Sequence, residues 1–295
     1  MSKRLFCFGL GYTAEVLARR LVARGWSIAG TTRDPAKAEE LRRQGWELHL
    51  FSRDQPLPDP ATALAGSTHE LHSVIPDGAG DPVADRHLAD LRALPGLEWF
   101  GWLGTTAVYG DRGGAWVDED TELNPTAERA RRRLAAERTW LASGLPAHLF
   151  RLAGIYGPGR NQLRDLLDGT ARRIVKPGQV FSRIHVEDIA TTLAASIARP
   201  RPGAVYNVCD DEPAPPQDVV AFAADLLGVE PPPALDYATA ELSPMARSFY
   251  ADNRRVRNDR IKQELGVQLA YPSYREGLRA LLAAEAPQTN GRPST

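Results

Sequence analysis

The sequence is poor in cysteine and has almost no net charge. Two cysteines among 295 residues cannot form a disulfide framework. The 36 Lys and Arg residues nearly cancel the 37 Asp and Glu residues, which leaves a formal net charge of −1. Proteins that bind nucleic acids or anionic membranes usually carry a basic surplus, so we expect neither class of partner.

Long apolar runs are also absent from the sequence. A membrane-spanning helix needs about 18 consecutive apolar residues, and a signal peptide needs an apolar segment followed by a cleavage site of small residues. Neither pattern occurs, so we expect a cytoplasmic protein. The spacing patterns of zinc sites, EF-hands and P-loops are missing too, so we expect no metal site.

The first half of the chain alternates strand and helix patterns. Apolar runs predict strands at residues 4–8, 27–32, 46–51, 69–75, 97–103 and 148–152. Between them, helical periodicity predicts helices at residues 12–24, 35–43, 82–94 and 126–142. Such alternation is typical of βαβ units, so we predict an α/β fold: a Rossmann-type, doubly wound parallel sheet with a small mixed C-terminal substrate region.

A glycine-rich loop follows the first predicted strand and reads Gly-Leu-Gly-Tyr-Thr-Ala at residues 9–14. The pattern G-x-G-x-x-A between a strand and a helix is typical of dinucleotide binding, because backbone N–H groups can approach a pyrophosphate there. The alternative is a tight strand–helix turn without a ligand. We favour the binding site, with contacts from Gly9, Leu10, Gly11, Tyr12 and Thr13.

Arg33 ends the second predicted strand, 22 residues beyond Gly11. NAD-binding proteins usually place an acid near this point, whereas arginine suits the 2′-phosphate of NADP. We therefore favour NADP(H) over NAD(H). The adjacent Asp34 could restore some NAD preference, and an exposed surface arginine is the structural alternative. Ser73, in the fourth predicted strand, is also predicted to contact the cofactor.

These features divide the chain into three predicted regions. Residues 1–155 form the NAD(P)-binding Rossmann domain. Residues 156–285, where the pattern becomes irregular, form a smaller substrate-binding region with some segments returning to the Rossmann domain. Residues 286–295 form a flexible tail. The predicted partner is a small-molecule substrate, and a homodimer stays open as an oligomeric state.

Several later motifs occur in one characteristic order: GTTAVYG, RLAGIYGPG, FSRIHVEDIA, VYNVCDDEP and SYREGL. With the glycine loop, this series resembles the extended short-chain dehydrogenase/reductases, which include the NAD-dependent epimerase/dehydratases of nucleotide sugars. The resemblance covers residues 3–282. It implies an oxidoreductase or epimerase/dehydratase-like enzyme acting on a small substrate, phosphorylated or similar to a nucleotide sugar.

The resemblance also implies site residues. In that family a Ser or Thr three residues before V-Y-G hydrogen-bonds the reacting oxygen, and here this residue is Thr105. A Tyr-x-x-x-Lys pair on the following helix supplies the general acid/base and holds the nicotinamide ribose. This chain carries Arg129 and Arg133 at those two positions. Arginine stays protonated, so Arg129 can bind an anion but cannot accept a proton.

The chain therefore looks like an atypical member without the family tyrosine. Arg133 could still hold a ribose hydroxyl or a phosphate. For both arginines the alternative is an exposed helix face, paired with Glu128 and Glu137. A non-catalytic NAD(P)-binding sensor or scaffold is the alternative function.

Other residues near strand ends are candidates for the missing chemistry. Tyr109 could supply a proton, although a structural hydrogen bond is the alternative that we favour. Tyr156, Arg160 and Arg183 are predicted to contact the substrate, the last through an anionic group. His185 could titrate near neutral pH, and a structural role is its alternative.

Overall fold

The computed structural model describes residues 3–285, and the predicted tail at residues 286–295 lies outside the described residues. The strands are β1 (Arg4–Phe8), β2 (Ser27–Thr32), β3 (Glu47–Leu50), β4 (His69–His72), β5 (Trp99–Thr105), β6 (Trp116–Val117), β7 (Ala147–Leu152), β8 (Gly154–Tyr156), β9 (Arg173–Val175), β10 (Arg183–His185), β11 (Val205–Val208), β12 (Ala234–Asp236) and β13 (Arg255–Val256). The helices are α1 (Tyr12–Val22), α2 (Pro35–Arg42), α3 (Pro60–Leu64), α4 (Pro82–Arg92), α5 (Glu128–Leu141), α6 (Gln162–Leu167), α7 (Val186–Ala198), α8 (Pro216–Leu227), α9 (Pro244–Ala251), α10 (Asp259–Leu265) and α11 (Tyr274–Glu285).

The central sheet has seven strands in the order β11-β7-β5-β4-β1-β2-β3. Every neighbouring pair runs parallel. The chain builds outward from β1 to β3 and then returns to place β4 on the other side of β1. The strand order reverses at that point, and in open α/β sheets ligands bind in the crevice outside the carboxyl ends of the strands there. The predicted Rossmann-type α/β fold is confirmed.

Two apolar layers cover the two faces of the sheet, because successive side chains of a strand point to opposite faces. In β1, Leu5 and Cys7 pack into one cluster, and Phe6 and Phe8 pack into the other. All four side chains are fully buried. A strand that is buried on both faces reads as a continuous apolar run, which is why RLFCF predicted a strand without alternation.

The structure shifts some predicted boundaries. The fourth predicted strand, residues 69–75, ends at His72, and the fifth lies at Trp99–Thr105 rather than at residues 97–103. Ser73 therefore lies in the loop after β4. This loop is at the carboxyl ends of β1 and β4, where the strand order reverses.

The chain beyond residue 155 contributes to both the sheet and a smaller cluster. Strand β11 pairs with β7 at the edge of the central sheet. Three two-stranded parallel pairs, β8 with β10, β9 with β12 and β6 with β13, lie outside it. Helices α6, α8 and α11 pack around a third apolar cluster that includes Leu163 and Leu278. The domain boundary at residue 155 stays a prediction.

No helix within residues 3–285 is both long and apolar enough to cross a membrane.

A buried ion pair joins α5 to β7. The Glu137 carboxylate accepts hydrogen bonds from the Arg151 guanidinium at 2.5 and 3.2 Å, and the two side chains are 2% and 5% exposed. Glu137 therefore does not pair with the arginines of its own helix, which corrects the surface interpretation of this acid.

Removing one partner of a buried pair leaves an uncompensated charge in the interior. We expect Glu137→Ala to lower the free energy of unfolding by about 3–5 kcal/mol, measured by urea denaturation. Glu128→Ala is the control, since the Glu128 side chain is exposed and its ion pairs are on the surface. Equal urea midpoints for Glu137→Ala and the wild type would contradict this account of the pair.

Candidate active site

A cleft of about 1090 Å³ opens where β1, β5 and β7 end. This volume is at the upper end of what one drug-sized ligand occupies, so the cleft can take more than one small group. Most of the predicted site residues line it, namely Gly11, Tyr12, Thr13, Ser73, Thr105, Arg129, Arg133, Tyr156, Arg160 and Arg183. Gly9, Leu10, Arg33 and Tyr109 are not among the lining residues.

The glycine loop is held tightly against the end of β4. Gly9 has φ +82°, and a Cβ there would lie 2.8 Å from Ser73 Oγ, so only glycine fits. The Ser73 hydroxyl donates to the Gly9 carbonyl, and the Gly9 N–H donates to Thr31 Oγ1 at 2.9 Å. Gly9 and the buried Leu10 therefore shape the turn, and Ser73 supports it from the cleft side.

Helix α1 begins in the cleft without a side-chain cap. Gly11 occupies the cap position, and no side chain accepts a hydrogen bond from the first helical N–H groups. Among the described residues, the N–H groups of Tyr12 and Thr13 have no hydrogen-bond acceptor. Such a helix end presents free donors and a partial positive charge, which suits an anion.

Arg33 lies beside this loop, immediately after β2. Thr31, two residues before Arg33, holds the loop against β2. Its hydroxyl oxygen accepts from Gly9 N–H at 2.9 Å, and its carbonyl accepts from Leu10 N–H at 2.7 Å. The Arg33 side chain is exposed, and no ion pair within the described part of the chain includes it. Asp34 caps α2, with its carboxylate accepting from Ala36 N–H at 2.9 Å. The acid that could favour NAD is therefore engaged in a helix cap.

Helix α5 turns Arg129 and Arg133 toward the cleft. The Arg129 guanidinium lies over the Phe249 ring, 4.0 Å from its centroid. Arg133 Nη1 donates to the Leu103 carbonyl at 3.0 Å, and burial lowers the pKa of this guanidinium. Arg131 and Arg132 pair with the exposed Glu128, and of these two Arg132 also lines the cleft. The helix thus has both faces that the sequence left open, a cleft face and a surface face.

Thr105 stands at the end of β5, and its side chain lines the cleft. Its hydroxyl oxygen accepts from Ala107 N–H at 3.2 Å and so caps the short 3-10 helix at Thr106–Tyr109. No acceptor among the described residues takes the hydroxyl hydrogen, so Thr105 can donate it to a ligand in the cleft.

The structure corrects the prediction that Tyr109 is a catalytic residue. Its ring is fully buried, and its hydroxyl donates to Asn207 Oδ1 at 2.8 Å and accepts from Arg151 Nη1 at 2.8 Å. Burial raises the pKa of Tyr109 to about 12. A phenol outside the cleft with both hydrogen-bonding functions in use cannot donate a proton to a ligand there, so Tyr109 has a structural role.

Tyr156 does line the cleft, but its hydroxyl donates to the Ser273 carbonyl at 3.3 Å, and burial raises its pKa. His185 is also unsuited to proton transfer at neutral pH, because burial lowers its pKa to about 4. It caps α7 by accepting from Glu187 N–H at 3.2 Å. Both side chains have structural partners, so neither replaces the missing acid/base.

Arg160 and Arg183 lie at different depths of the cleft. Arg160 is exposed at the rim, where its backbone pairs with Gly157. Arg183, on β10, is largely buried, and its Nη1 donates to the carbonyls of Phe181 and Ala214 at 2.8 and 3.1 Å. Burial lowers the pKa of the Arg183 guanidinium.

No protein-family model matches the chain. A 3-diazoavenalumate denitrifying reductase of a Streptomyces species is 32% identical over 298 residues, with 91% of this chain and 96% of that protein covered. Protein YeeZ of Escherichia coli K12 is 29% identical, with 92% and 97% covered.

Among solved structures, a conserved protein of unknown function from Silicibacter pomeroyi is 57% identical with a TM-score of 0.88, covering 96% of this chain and 99% of that one. A candidate NAD-dependent epimerase/dehydratase from Methylobacillus flagellatus is 27% identical with a TM-score of 0.69, covering 96% and 98%. The chain is thus similar over nearly its whole length to a candidate NAD-dependent epimerase/dehydratase.

Sequence reasoning missed one wall of the cleft. Helix α9 contributes Met245, Phe249 and Tyr250, and the following segment contributes Asp252 and Arg254. A signal was present, because Ser243-Pro244 is a cap residue followed by proline at the first helical position. Ser243 Oγ indeed accepts from Ala246 N–H at 3.2 Å.

The charged side chains that line the cleft are nearly all positive. Six arginines line it: Arg129, Arg132, Arg133, Arg160, Arg183 and Arg254. Among the described lining residues, Asp252 is the one acid, and it pairs with Arg254 at 3.1 Å. The described residues contain no group of three or more His, Cys, Asp or Glu side chains that could hold a metal. The cleft is therefore suited to an anion.

Proposed function

We propose that this chain is an NADP(H)-dependent oxidoreductase or epimerase/dehydratase-like enzyme, an atypical member of the extended short-chain dehydrogenase/reductases, that acts on a small anionic substrate. The observation that carries the proposal is the continuity of the cleft. One cavity joins the uncapped start of α1 to the pocket lined by arginines. A dinucleotide at the first place would bring its reactive end toward the second.

The residues present fit a dinucleotide. A pyrophosphate would accept from the N–H groups at the start of α1, where Gly11 adds no side chain. Arg33 would hold the 2′-phosphate, and Arg133 would hold a ribose hydroxyl. The bound nicotinamide supplies or accepts a hydride, and the protein supplies position and electrostatics.

The reacting group of the substrate would lie between β5 and α5. Thr105 would donate its hydroxyl hydrogen to the reacting oxygen. Arg129, one helical turn before Arg133, would stabilise negative charge that develops there. Arg129 cannot accept a proton, so no residue here takes over the full acid/base role of the family tyrosine.

A reductase reaction is favoured by one relative. The Streptomyces protein is named as a reductase of a diazo compound. We propose that this chain also reduces a substrate bound in the cleft.

The cofactor preference is tested at Arg33. We expect the wild type to bind NADPH more tightly than NADH, and Arg33→Ala to weaken NADPH binding by about 30-fold while leaving NADH binding unchanged, because charge-assisted hydrogen bonds to the 2′-phosphate are lost. Calorimetric titration measures both ligands. The control is Arg24→Ala, an exposed arginine beyond the opposite end of α1. Tighter binding of NADH than of NADPH by the wild type would refute the preference.

A non-catalytic NAD(P)-binding sensor or scaffold is the second candidate. The tyrosines that line the cleft favour this candidate, because burial raises the pKa of each phenol. These residues are Tyr12, Tyr156, Tyr250 and Tyr274. These groups are poor proton donors or acceptors at neutral pH. NADPH oxidation assayed with a panel of aldehydes, ketones and unsaturated acids separates the two candidates, because a sensor binds NADPH without reducing any of them.

A further inference from the structure

Arg183 holds a charge that the described part of the chain does not neutralise. Its Nη1 is occupied by two backbone carbonyls, while its Nε and Nη2 donate to no acceptor among the described residues. No ion pair within those residues includes it. Asp210 acts on it electrostatically, but within the described residues the Asp210 carboxylate accepts no hydrogen bond from the guanidinium.

The free donors of Arg183 form a defined shape. Nε and Nη2 lie on the same edge of the planar guanidinium, and this edge presents two parallel N–H groups. A carboxylate matches such an edge with its two oxygens, in a pair of charge-assisted hydrogen bonds. The two carbonyl contacts of Nη1 fix the orientation of the guanidinium before a ligand arrives. The site is therefore preorganised.

Aromatic and aliphatic side chains line part of the cleft that contains Arg183. Phe181 and Tyr250 pack edge to face, with ring centroids 5.3 Å apart, and Tyr274 is buried beside Val219 and Leu278. Phe249 and Met245 line the same cleft and are 53% and 67% exposed. Large apolar side chains left open in a cleft form surface that an apolar ligand would cover.

We propose that Arg183 binds the carboxylate of an aromatic acid, whose ring lies against Phe181, Phe249 and Tyr250. This inference rests on the proposed function, because it names the substrate class of the same cleft. A nucleotide sugar fits this apolar part of the cleft less well, since its hydroxyls need hydrogen-bonding partners that apolar side chains do not offer. The carboxylate end lies at β10 and the remainder extends toward Thr105 and Arg129.

The test uses trans-cinnamate as the probe, with the full-length protein and calorimetric titration in the presence of saturating NADPH. We expect one cinnamate per chain. Arg183→Gln should weaken cinnamate binding by about 30-fold or more, since the carboxylate loses a buried charged partner. Arg183→Lys keeps the charge but loses the two-donor edge, so we expect a smaller loss of about 10-fold.

Two controls make the result specific. Arg164→Gln, on α6, removes an exposed arginine that pairs with Asp168 and does not line the cleft, and it should leave cinnamate binding unchanged. NADPH binding by Arg183→Gln should equal that of the wild type, which shows that the variant folds.

Three outcomes would overturn the inference: equal cinnamate affinity in Arg183→Gln and the wild type, UDP-glucose binding more tightly than cinnamate, or inorganic phosphate displacing cinnamate at similar concentration. Failure of the proposed function looks different, because NADPH itself would then not bind to the wild type. Normal NADPH binding without cinnamate binding would reject the substrate class alone.

Discussion

Gly11→Val should abolish NADPH binding while the protein stays folded. Gly11 has φ −108° and ψ −167°, which any residue adopts, and a Cβ there would lie 4.0 Å from its nearest neighbour, the Gly9 carbonyl. The substitution is therefore accommodated by the fold. The added methyl groups would stand where the backbone must approach the pyrophosphate, and we expect a loss of at least about 100-fold in NADPH affinity.

The cost to the fold should be small. Valine is a poorer cap residue than glycine, so we expect the free energy of unfolding to fall by about 1 kcal/mol. Gly96→Val is the matched control, because Gly96 is exposed and a Cβ there meets nothing within 4 Å. Thermal denaturation and NADPH titration are measured on both variants. Undiminished NADPH affinity in Gly11→Val would place the cofactor elsewhere and refute the proposed binding mode.

Arg129→Ala should lower kcat by about 100-fold, because it removes the cation that stabilises developing negative charge. The rate is followed as NADPH oxidation with the acceptor that the wild type reduces fastest. NADPH affinity should not change, since Arg33 and the start of α1 carry that binding. Loss of the Arg129–Phe249 contact affects an exposed ring and should leave the unfolding midpoint close to that of the wild type.

Arg131→Ala is the control on the same helix, since Arg131 is exposed, pairs with Glu128 and does not line the cleft. Its kcat should equal that of the wild type. If Arg129→Ala also turns over at the wild-type rate, Arg129 lies outside the reacting centre and the helix has only its surface role.

Local sequence patterns predicted the part of the site that lies near the glycine loop. The loop, the strand before it and the helix after it depend on residues 4–22, and their glycines and apolar runs have direct backbone consequences. Arg129 and Arg133 were placed on one face by helical spacing, and the structure turns both toward the cleft. These inferences needed only periodicity and order along the chain.

Tertiary contacts decided the remaining features. Tyr109 and Thr105 are four residues apart, yet the short 3-10 helix between them turns the phenol into the interior, where Arg151 and Asn207 bind it. Glu137 pairs across to β7 rather than along α5. Helix α9 reaches the cleft from a segment more than 100 residues beyond Arg129, and nothing local to either segment encodes that approach.

The account depends most on the claim that the cleft binds NADP(H) with its pyrophosphate at the start of α1. A crystal structure of the full chain grown with NADPH tests this directly. We expect the pyrophosphate oxygens within hydrogen-bond distance of the Tyr12 and Thr13 N–H groups, and the 2′-phosphate within hydrogen-bond distance of the Arg33 guanidinium. A cleft without bound NADPH at saturating concentration, or a cofactor whose 2′-phosphate points away from Arg33, would contradict the account.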